Sequence, residues 1–495
     1  MGTALESTAF KATYAVKEPF VYAAIVEDPA TKEILYRVIE PTLTPEDKLV
    51  LEKIKHIMLQ ELEVDVTELN EEKAPKIIEA ETRRIIKEYK IKVTEETLNK
   101  IFYYLTRDLL GYERLDPLMQ DHMIEDISCD GARIPIYIWH REWESIPTNV
   151  MYDDPETLNR AVVRLAYKCG RHISIGNPIL DGSLPDGSRV NATYGTEISK
   201  KGATFTIRRF RADPLTIVDL IALKTVSPDL AAFLWYAIEN KSSVLIAGGV
   251  ASGKTTLLNC ISMFIRPDLK LVSIEETPEL NIPHINWIPM TTRQGFGKKE
   301  ADITLFDLLK NALRQRPDYI IVGEVRGKEA YTLFQALATG HGVQATIHGD
   351  NPQSVIKRLE SEPMNVPRPL IGLIDLIVMQ NRLRLGDKPV RRTVDVTEVG
   401  GYDPDSNKLV MNQLAKWNPQ DDSFIIKTES LLLKKIAEKK GITVEEAMAD
   451  IKKRKVIFKW LESKGMRRYK EIGAMMREFY ADPERIYRKA MVESL

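Results

Sequence analysis

The chain is poor in cysteine, nearly without net charge, and lacks any long apolar run. Its three cysteines, Cys129, Cys169 and Cys260, lie far apart and show no C-x-x-C spacing. That argues against a zinc site or a disulfide framework and suits a reducing compartment. Formal net charge is −1, so bulk electrostatics give no reason to expect a nucleic-acid partner. The local basic run Lys452-Lys453-Arg454-Lys455 reads as a solvated helix face. The N-terminus carries no apolar signal core, and no stretch reaches the roughly 18 uninterrupted apolar residues of a spanning helix. Even the run Leu370–Met379 is interrupted by Asp375 and reads as a buried strand or helix. The expectation is a cytoplasmic protein whose membrane role comes through partners.

A length of 495 residues leaves room for two or three domains with sizeable cores. In residues 1–110 a β-like run, Phe20–Val26, precedes charged segments with helical spacing over 45–110. There Leu49, Leu51, Ile54, Ile57 and Met58 form an apolar stripe. This region is expected to be largely helical, and it reads either as a docking surface or as a bundle stabilising the adjacent α/β unit. Residues 111–212 read as that α/β unit, with strands at Ile134–Trp139, Val190–Tyr194 and Thr204–Arg208 and a helix capped near Asp154. Asp213-Pro214-Leu215-Thr216 breaks the pattern and opens a linker over 213–227. From 228 to 430, short apolar strands at Val244–Ala247, Leu271–Ile274 and Tyr319–Val322 alternate with helices. That pattern suits a parallel sheet buried on both faces. Residues 431–495 read as charged helices punctuated by Gly441, Gly465 and Pro483.

The octet Gly248-Gly249-Val250-Ala251-Ser252-Gly253-Lys254-Thr255 matches G-x-x-x-x-G-K-[ST], comes after an apolar strand, and leads through Thr256 into a helix. The glycines let the backbone wrap close to phosphates, whose charge is held by successive N–H groups and the helix N-terminus. Lys254 is expected to reach the β- and γ-phosphates of ATP, and Thr255 to ligate Mg²⁺.

Four further segments carry chemistry. Glu324 ends the strand Tyr319–Val322, expected beside the P-loop strand; there it would orient water or hold Mg²⁺ through water. Glu275-Glu276-Thr277-Pro278-Glu279 ends the strand after the P-loop helix, with Glu276 as the candidate carboxylate and a solvated acidic turn as the alternative. His341 and His348 fall in one segment, Thr339–His348, and their spacing lets both lie near the phosphate end of the sheet; packing in a turn is the other reading. Arg189, Arg208 and Arg211 cluster before the linker. They read as arginine fingers for a transferring phosphoryl group or, equally, as a basic strand edge.

Together these segments resemble, in family order, the secretion ATPase superfamily of type II and type IV systems. They are most similar to its archaeal members, which drive the archaellum or assemble type IV pili. The resemblance spans about residues 100–400. It lacks the tetracysteine zinc insert of bacterial type II members, and the helical tail after about 430 is longer than in retraction and conjugation members. The resemblance implies a RecA-like ATPase domain with a parallel sheet over 228–430, preceded by an α/β domain and an N-terminal helical region. It implies a homo-hexamer with ATP bound between the two domains and arginines of the first completing the site. The motor would push on an integral membrane platform protein, with accessory cytoplasmic proteins, at the inner face of the cell membrane. Two rival functions remain: a DNA-translocating conjugation-type ring and a nucleotide-gated scaffold without turnover.

Overall fold

The structure, a computed structural model, describes residues 9–28, 31–61, 73–210, 213–293, 302–386 and 388–494. The chain divides into two compact units, Met1–Arg211 and Ala212–Leu495.

The first unit opens with an antiparallel sheet of β1 (Ala9–Lys17), β2 (Val21–Glu27) and β3 (Ile34–Ile39). Helices α1 (Pro45–Glu61), α2 (Ala74–Glu88) and α3 (Glu95–Leu109) come next and close over Ile54, Ile78, Ile101 and Leu105. Leu51, Ile54, Ile57 and Met58 are buried as the stripe requires, but Leu49 is 73% exposed. Two residues of helix turn Leu49 about 200° from Leu51, onto the opposite face. After α4 (Asp116–Gln120) come β4 (Ile124–Cys129), β5 (Tyr137–His140), β6 (Glu144–Pro147), α5 (Pro155–Lys168), β7 (Ile179–Ser183), β8 (Arg189–Thr193) and β9 (Thr204–Arg208). The six strands form an antiparallel sheet in the order β6-β5-β4-β9-β8-β7. Asp154 caps α5 by accepting from the Thr157 N–H. The strand expected from Ile134 starts only at Tyr137, because β5 pairs on both sides and Pro135 has no N–H for a ladder.

The N-terminal sheet belongs to this α/β core. Val21, Ala23, Ile25 and Tyr36 bury with Ile127, Ile138 and Phe205. Fully buried Asp121 accepts from Tyr14 Oη (2.7 Å), Tyr36 Oη (2.6 Å) and the Met123 N–H (2.8 Å), tying β1 and β3 to the loop before β4. The expected subdivision at 110 therefore falls inside one packed unit, and its first strands are core.

In the second unit α6 (Ile217–Ala222) occupies the expected linker, with Thr216 and Asp219 forming a capping box and Val218 and Leu220 buried. Then come α7 (Pro228–Glu239), β10 (Val244–Gly248), α8 (Lys254–Ser262), β11 (Leu271–Glu275), β12 (Trp287–Thr291), α9 (Leu305–Leu313) and β13 (Tyr319–Val322). The chain continues through α10 (Glu329–Ala338), β14 (Gly342–Ile347), α11 (Pro352–Glu360), α12 (Arg368–Ile371), β15 (Leu376–Leu385), β16 (Lys388–Asp403), β17 (Lys408–Asn418) and β18 (Ser423–Ile426). The sheet order is β12-β11-β13-β14-β10-β15-β16-β17-β18. It is parallel from β12 to β15 and antiparallel beyond. Alternate residues of the central strands bury in two cores. Val244 and Ile246 face one, Leu245 and Ala247 the other, which is why these strands read as unbroken apolar runs.

The chain ends in α13 (Leu431–Lys440), α14 (Val444–Ser463), α15 (Tyr469–Ala481) and α16 (Pro483–Glu493). These helices are part of the domain, since Phe458, Leu461, Phe479 and Ile486 pack with Trp235 and Phe264. The basic run in α14 is not a solvated face. Arg454 is 1% exposed, paired with Glu239 and with Asp450 (2.7 Å), and lies against the rings of Trp235, Tyr236 and Phe479. Lys453 and Lys455 pair with Glu484 and Asp229. Among the described residues no helix is long and apolar enough to cross a membrane.

Candidate nucleotide site

The P-loop connects β10 to α8. Gly248 ends the strand where a Cβ would stand 2.0 Å from the Gln380 carbonyl oxygen on β15, so only glycine fits. Gly253, at φ 90°, is the left-handed N-cap of α8, and Ala251 is held left-handed at φ 56° although it is not glycine. Ser252 Oγ donates to the Gly249 carbonyl at 3.0 Å and closes the turn. Val250 is exposed at the tip. Lys254 is buried, and its Nζ donates to the carbonyls of Gly248 (3.0 Å) and Gly249 (2.7 Å). Thr255 and Thr256 lie next, half-buried, in the first turn of α8. That turn supplies N–H groups and the positive end of a helix dipole, an arrangement suited to phosphate.

Parallel strands point their C-terminal ends the same way, so the residues after β11, β13 and β14 share the P-loop edge. Glu324 lies just past β13, which is not the neighbour of β10: β14 lies between them. The residue after β14 is His348, and it spans this gap. Its Nε2 stands 3.1 Å from Glu324 Oε1, an oxygen that accepts no hydrogen bond among the described residues. Arg326 ties the carboxylates together, with Nη2 donating to Glu324 Oε2 at 2.6 Å and Nη1 to Glu276 Oε2 at 3.1 Å. Burial pushes the Glu324 carboxyl up, but Arg326, then His348 and Lys254, outweigh it and hold the carboxyl below the ordinary range. Burial and Lys254 hold His348 below the ordinary imidazole value against the pull of Glu324. At neutral pH the pair is therefore a carboxylate beside a neutral imidazole.

His341 does not join them. It precedes β14, so six strand residues, roughly 20 Å at about 3.3 Å per residue, separate it from His348. Its Nδ1 instead lies 3.0 Å from Thr339 Oγ1 and 3.1 Å from the Ala336 carbonyl at the end of α10. The expectation that both histidines sit at the phosphate end is corrected by the strand between them.

Two residues beyond the sequence candidates shape the site. Arg326 is one. Glu275, the last residue of β11, is the other: it is buried, and its Oε1 accepts from the N–H groups of Glu279 (3.0 Å) and Leu280 (3.1 Å). Burial outweighs these donors and pushes its carboxyl up to about 7. A Cβ on Gly323 would stand 3.1 Å from Glu275 Cγ, so the acidic turn and the Glu324 segment are in close contact. The sequence signal for Glu275 is its place in the acidic segment, with nothing to show which carboxylate turns inward.

Arg189 and Arg208 belong to the first unit, directly paired across β8 and β9. Arg189 grips Asp181 through Nε (3.1 Å) and Nη2 (2.8 Å), whereas Arg208 is exposed. Arg209 turns inward, donating to the Asp121 carbonyl. Arg211 lies outside the described residues.

A family model described as type II/IV secretion system protein matches residues 111–413. The chain belongs to this type II/IV secretion ATPase superfamily. An uncharacterised protein of Methanocaldococcus jannaschii is 38% identical over 450 residues, covering 86% of this chain and 81% of its own length. A second from that organism is 51% identical over 236 residues, covering 48% of this chain and 87% of its own. Among solved structures, the VirB11 ATPase of the Brucella suis type IV secretion system is 24% identical, with 62% of this chain and 95% of that one covered and a TM-score of 0.30.

Proposed function

We propose that this chain is a Mg-ATP-hydrolysing, homo-hexameric motor that powers assembly of an archaellum or type IV pilus-like filament, or type II-like secretion. The observation that carries the reading is the convergence of Lys254, Glu324, His348, Arg326 and Glu276 on the P-loop edge of one parallel sheet. Lys254 exchanges its two carbonyl partners for β- and γ-phosphate oxygens, and the α8 N-terminus holds the phosphates. Hard oxygen donors suit Mg²⁺ here: the Thr255 hydroxyl would hold it, and Glu324, whose Oε1 has no hydrogen-bond donor among the described residues, would hold it through water. When bound, that ion neutralises charge developing on the phosphates. Glu324 polarises the attacking water; His348, neutral and in contact, orients it. Arg326 keeps Glu324 anionic and fixes its direction. Glu276 balances Arg326.

In the assembled ring, Arg208 and Arg211 stabilise charge on the transferring group, with Arg189, held by Asp181, paired across the strands with Arg208. The chain works at the inner face of the membrane against an integral platform protein, with accessory cytoplasmic proteins and no nucleic acid. The test is phosphate release by the purified full chain with liposomes carrying the platform protein, or with single- or double-stranded DNA. The platform is expected to raise turnover severalfold and DNA to leave it unchanged. Stimulation by DNA alone would move the function to a conjugation-type translocase.

A further inference from the structure

The hairpin beyond the P-loop has a residue with no part in water activation or phosphate binding. Gly248, the last residue of β10, pairs with Gln380 on β15, and β15 and β16 run on past that point as an antiparallel arm. Arg382 pairs across this arm with Arg391. Arg391 turns back onto the phosphate loop: its Nε donates to the Ala251 carbonyl at 3.1 Å. Its Cδ lies against Gly253, where a Cβ would meet it at 3.2 Å.

The loop needs such a hold. Ala251 carries a side chain at a left-handed φ of 56°, a conformation that costs a non-glycine residue free energy and persists only when its surroundings impose it. Val250 before it is 83% exposed and adds little packing. The internal constraints on this turn are Ser252 Oγ, which donates to the Gly249 carbonyl, and Lys254 Nζ, which donates to the Gly248 and Gly249 carbonyls and would leave them when it turns to phosphate. Arg391 adds an external one, anchored in a strand of the domain's sheet. A loop that spends only part of its time in the phosphate-accepting form binds nucleotide more weakly by that fraction.

We propose that Arg391 is a positioning residue that clamps the P-loop from outside at Ala251, pre-organising it for the phosphates of a nucleoside triphosphate. It acts through the loop backbone, so its effect falls on affinity more than on the chemical step. The proposal rests on the reading of the P-loop as a nucleotide site.

The full chain is compared as wild type, Arg391→Ala, Arg391→Lys and Lys254→Ala. Dissociation constants are measured for a fluorescent ATP analogue, KM and kcat for ATP, and hydrogen–deuterium exchange over residues 249–254. Arg391→Ala is expected to speed exchange in that segment without nucleotide, weaken binding about tenfold and raise KM by a similar factor. Its kcat should fall less than threefold, and its melting temperature should match wild type. Arg391→Lys, which keeps a cationic N–H donor group on a long stem, is expected to recover most of the affinity. Wild-type exchange and wild-type affinity in Arg391→Ala would overturn the clamp. Loss of affinity without faster exchange would overturn it equally, because the arginine would then act directly on the ligand. Unchanged affinity in Lys254→Ala would instead overturn the nucleotide reading itself, so the two failures are distinguishable.

Discussion

His348 and His341 share a residue type and one short segment, yet the sheet sends them to opposite ends. His348 touches Glu324, whereas His341 bonds the end of α10. We therefore expect His348→Ala to lower ATP turnover at least tenfold, within the range of a lost acid–base or orienting group, and His341→Ala to leave it within twofold of wild type. Phosphate release at saturating ATP decides this, and the reverse order would place the histidine chemistry elsewhere. Glu275 supports a second expectation. Its carboxyl is raised from an ordinary 4.5 to about 7, so the folded state binds a proton that the unfolded state releases. The stability this gives is complete below pH 4.5 and is lost as pH rises through about 7. At 1.36 kcal/mol per pKa unit the loss is about 3 kcal/mol. Urea unfolding at pH 5 and pH 8 should show wild type losing more stability across that interval than Glu275→Gln. Equal losses would mean that the carboxyl is not raised.

The strands and helices that carry the site are legible from local pattern, but their neighbours are not. Apolar runs at Val244, Leu271 and Tyr319 identify strands because parallel strands buried on two faces need apolar residues throughout. Nothing in such a run says which strand it pairs with, so local pattern sets Glu324 beside the P-loop strand when β14 stands between. The two histidines group together in sequence for the same reason: the strand joining them reads as part of one motif rather than as a span of length. The C-terminal helices are separable in sequence because they are highly charged. Their role in the core depends on a few large side chains that pair with Trp235 and Glu239, more than 200 positions away. Glu239→Ala is expected to lower stability by about 2–3 kcal/mol, because Arg454 would stay buried with Asp450 as its remaining carboxylate; a fully orphaned buried charge costs about 3–5 kcal/mol. Chemical denaturation measures this. A loss under about 0.5 kcal/mol, the scale of an exposed pair, would show that α14 is not held through this arginine.

The molecule as a whole separates its tasks between two units. The first combines two antiparallel sheets, a helical cluster and an arginine-bearing edge; the second carries the P-loop, Glu276, Glu324 and His348. Motif order makes the family readable, since four spaced segments constrain a chain more than a P-loop alone. The role of β1, β2 and β3 is not readable, because a short β-sheet that completes another sheet's core has no motif of its own. The central claim is that the second unit binds ATP through Lys254 and cleaves it through Glu324. Nucleotide affinity and steady-state phosphate release, measured together on the full chain with Glu324→Gln and Lys254→Ala, test it most directly. Glu324→Gln should bind ATP within about threefold of wild type while turnover falls about 100-fold or more, in the range of a lost general base. Lys254→Ala should lose both. Wild-type turnover in Glu324→Gln would contradict the account.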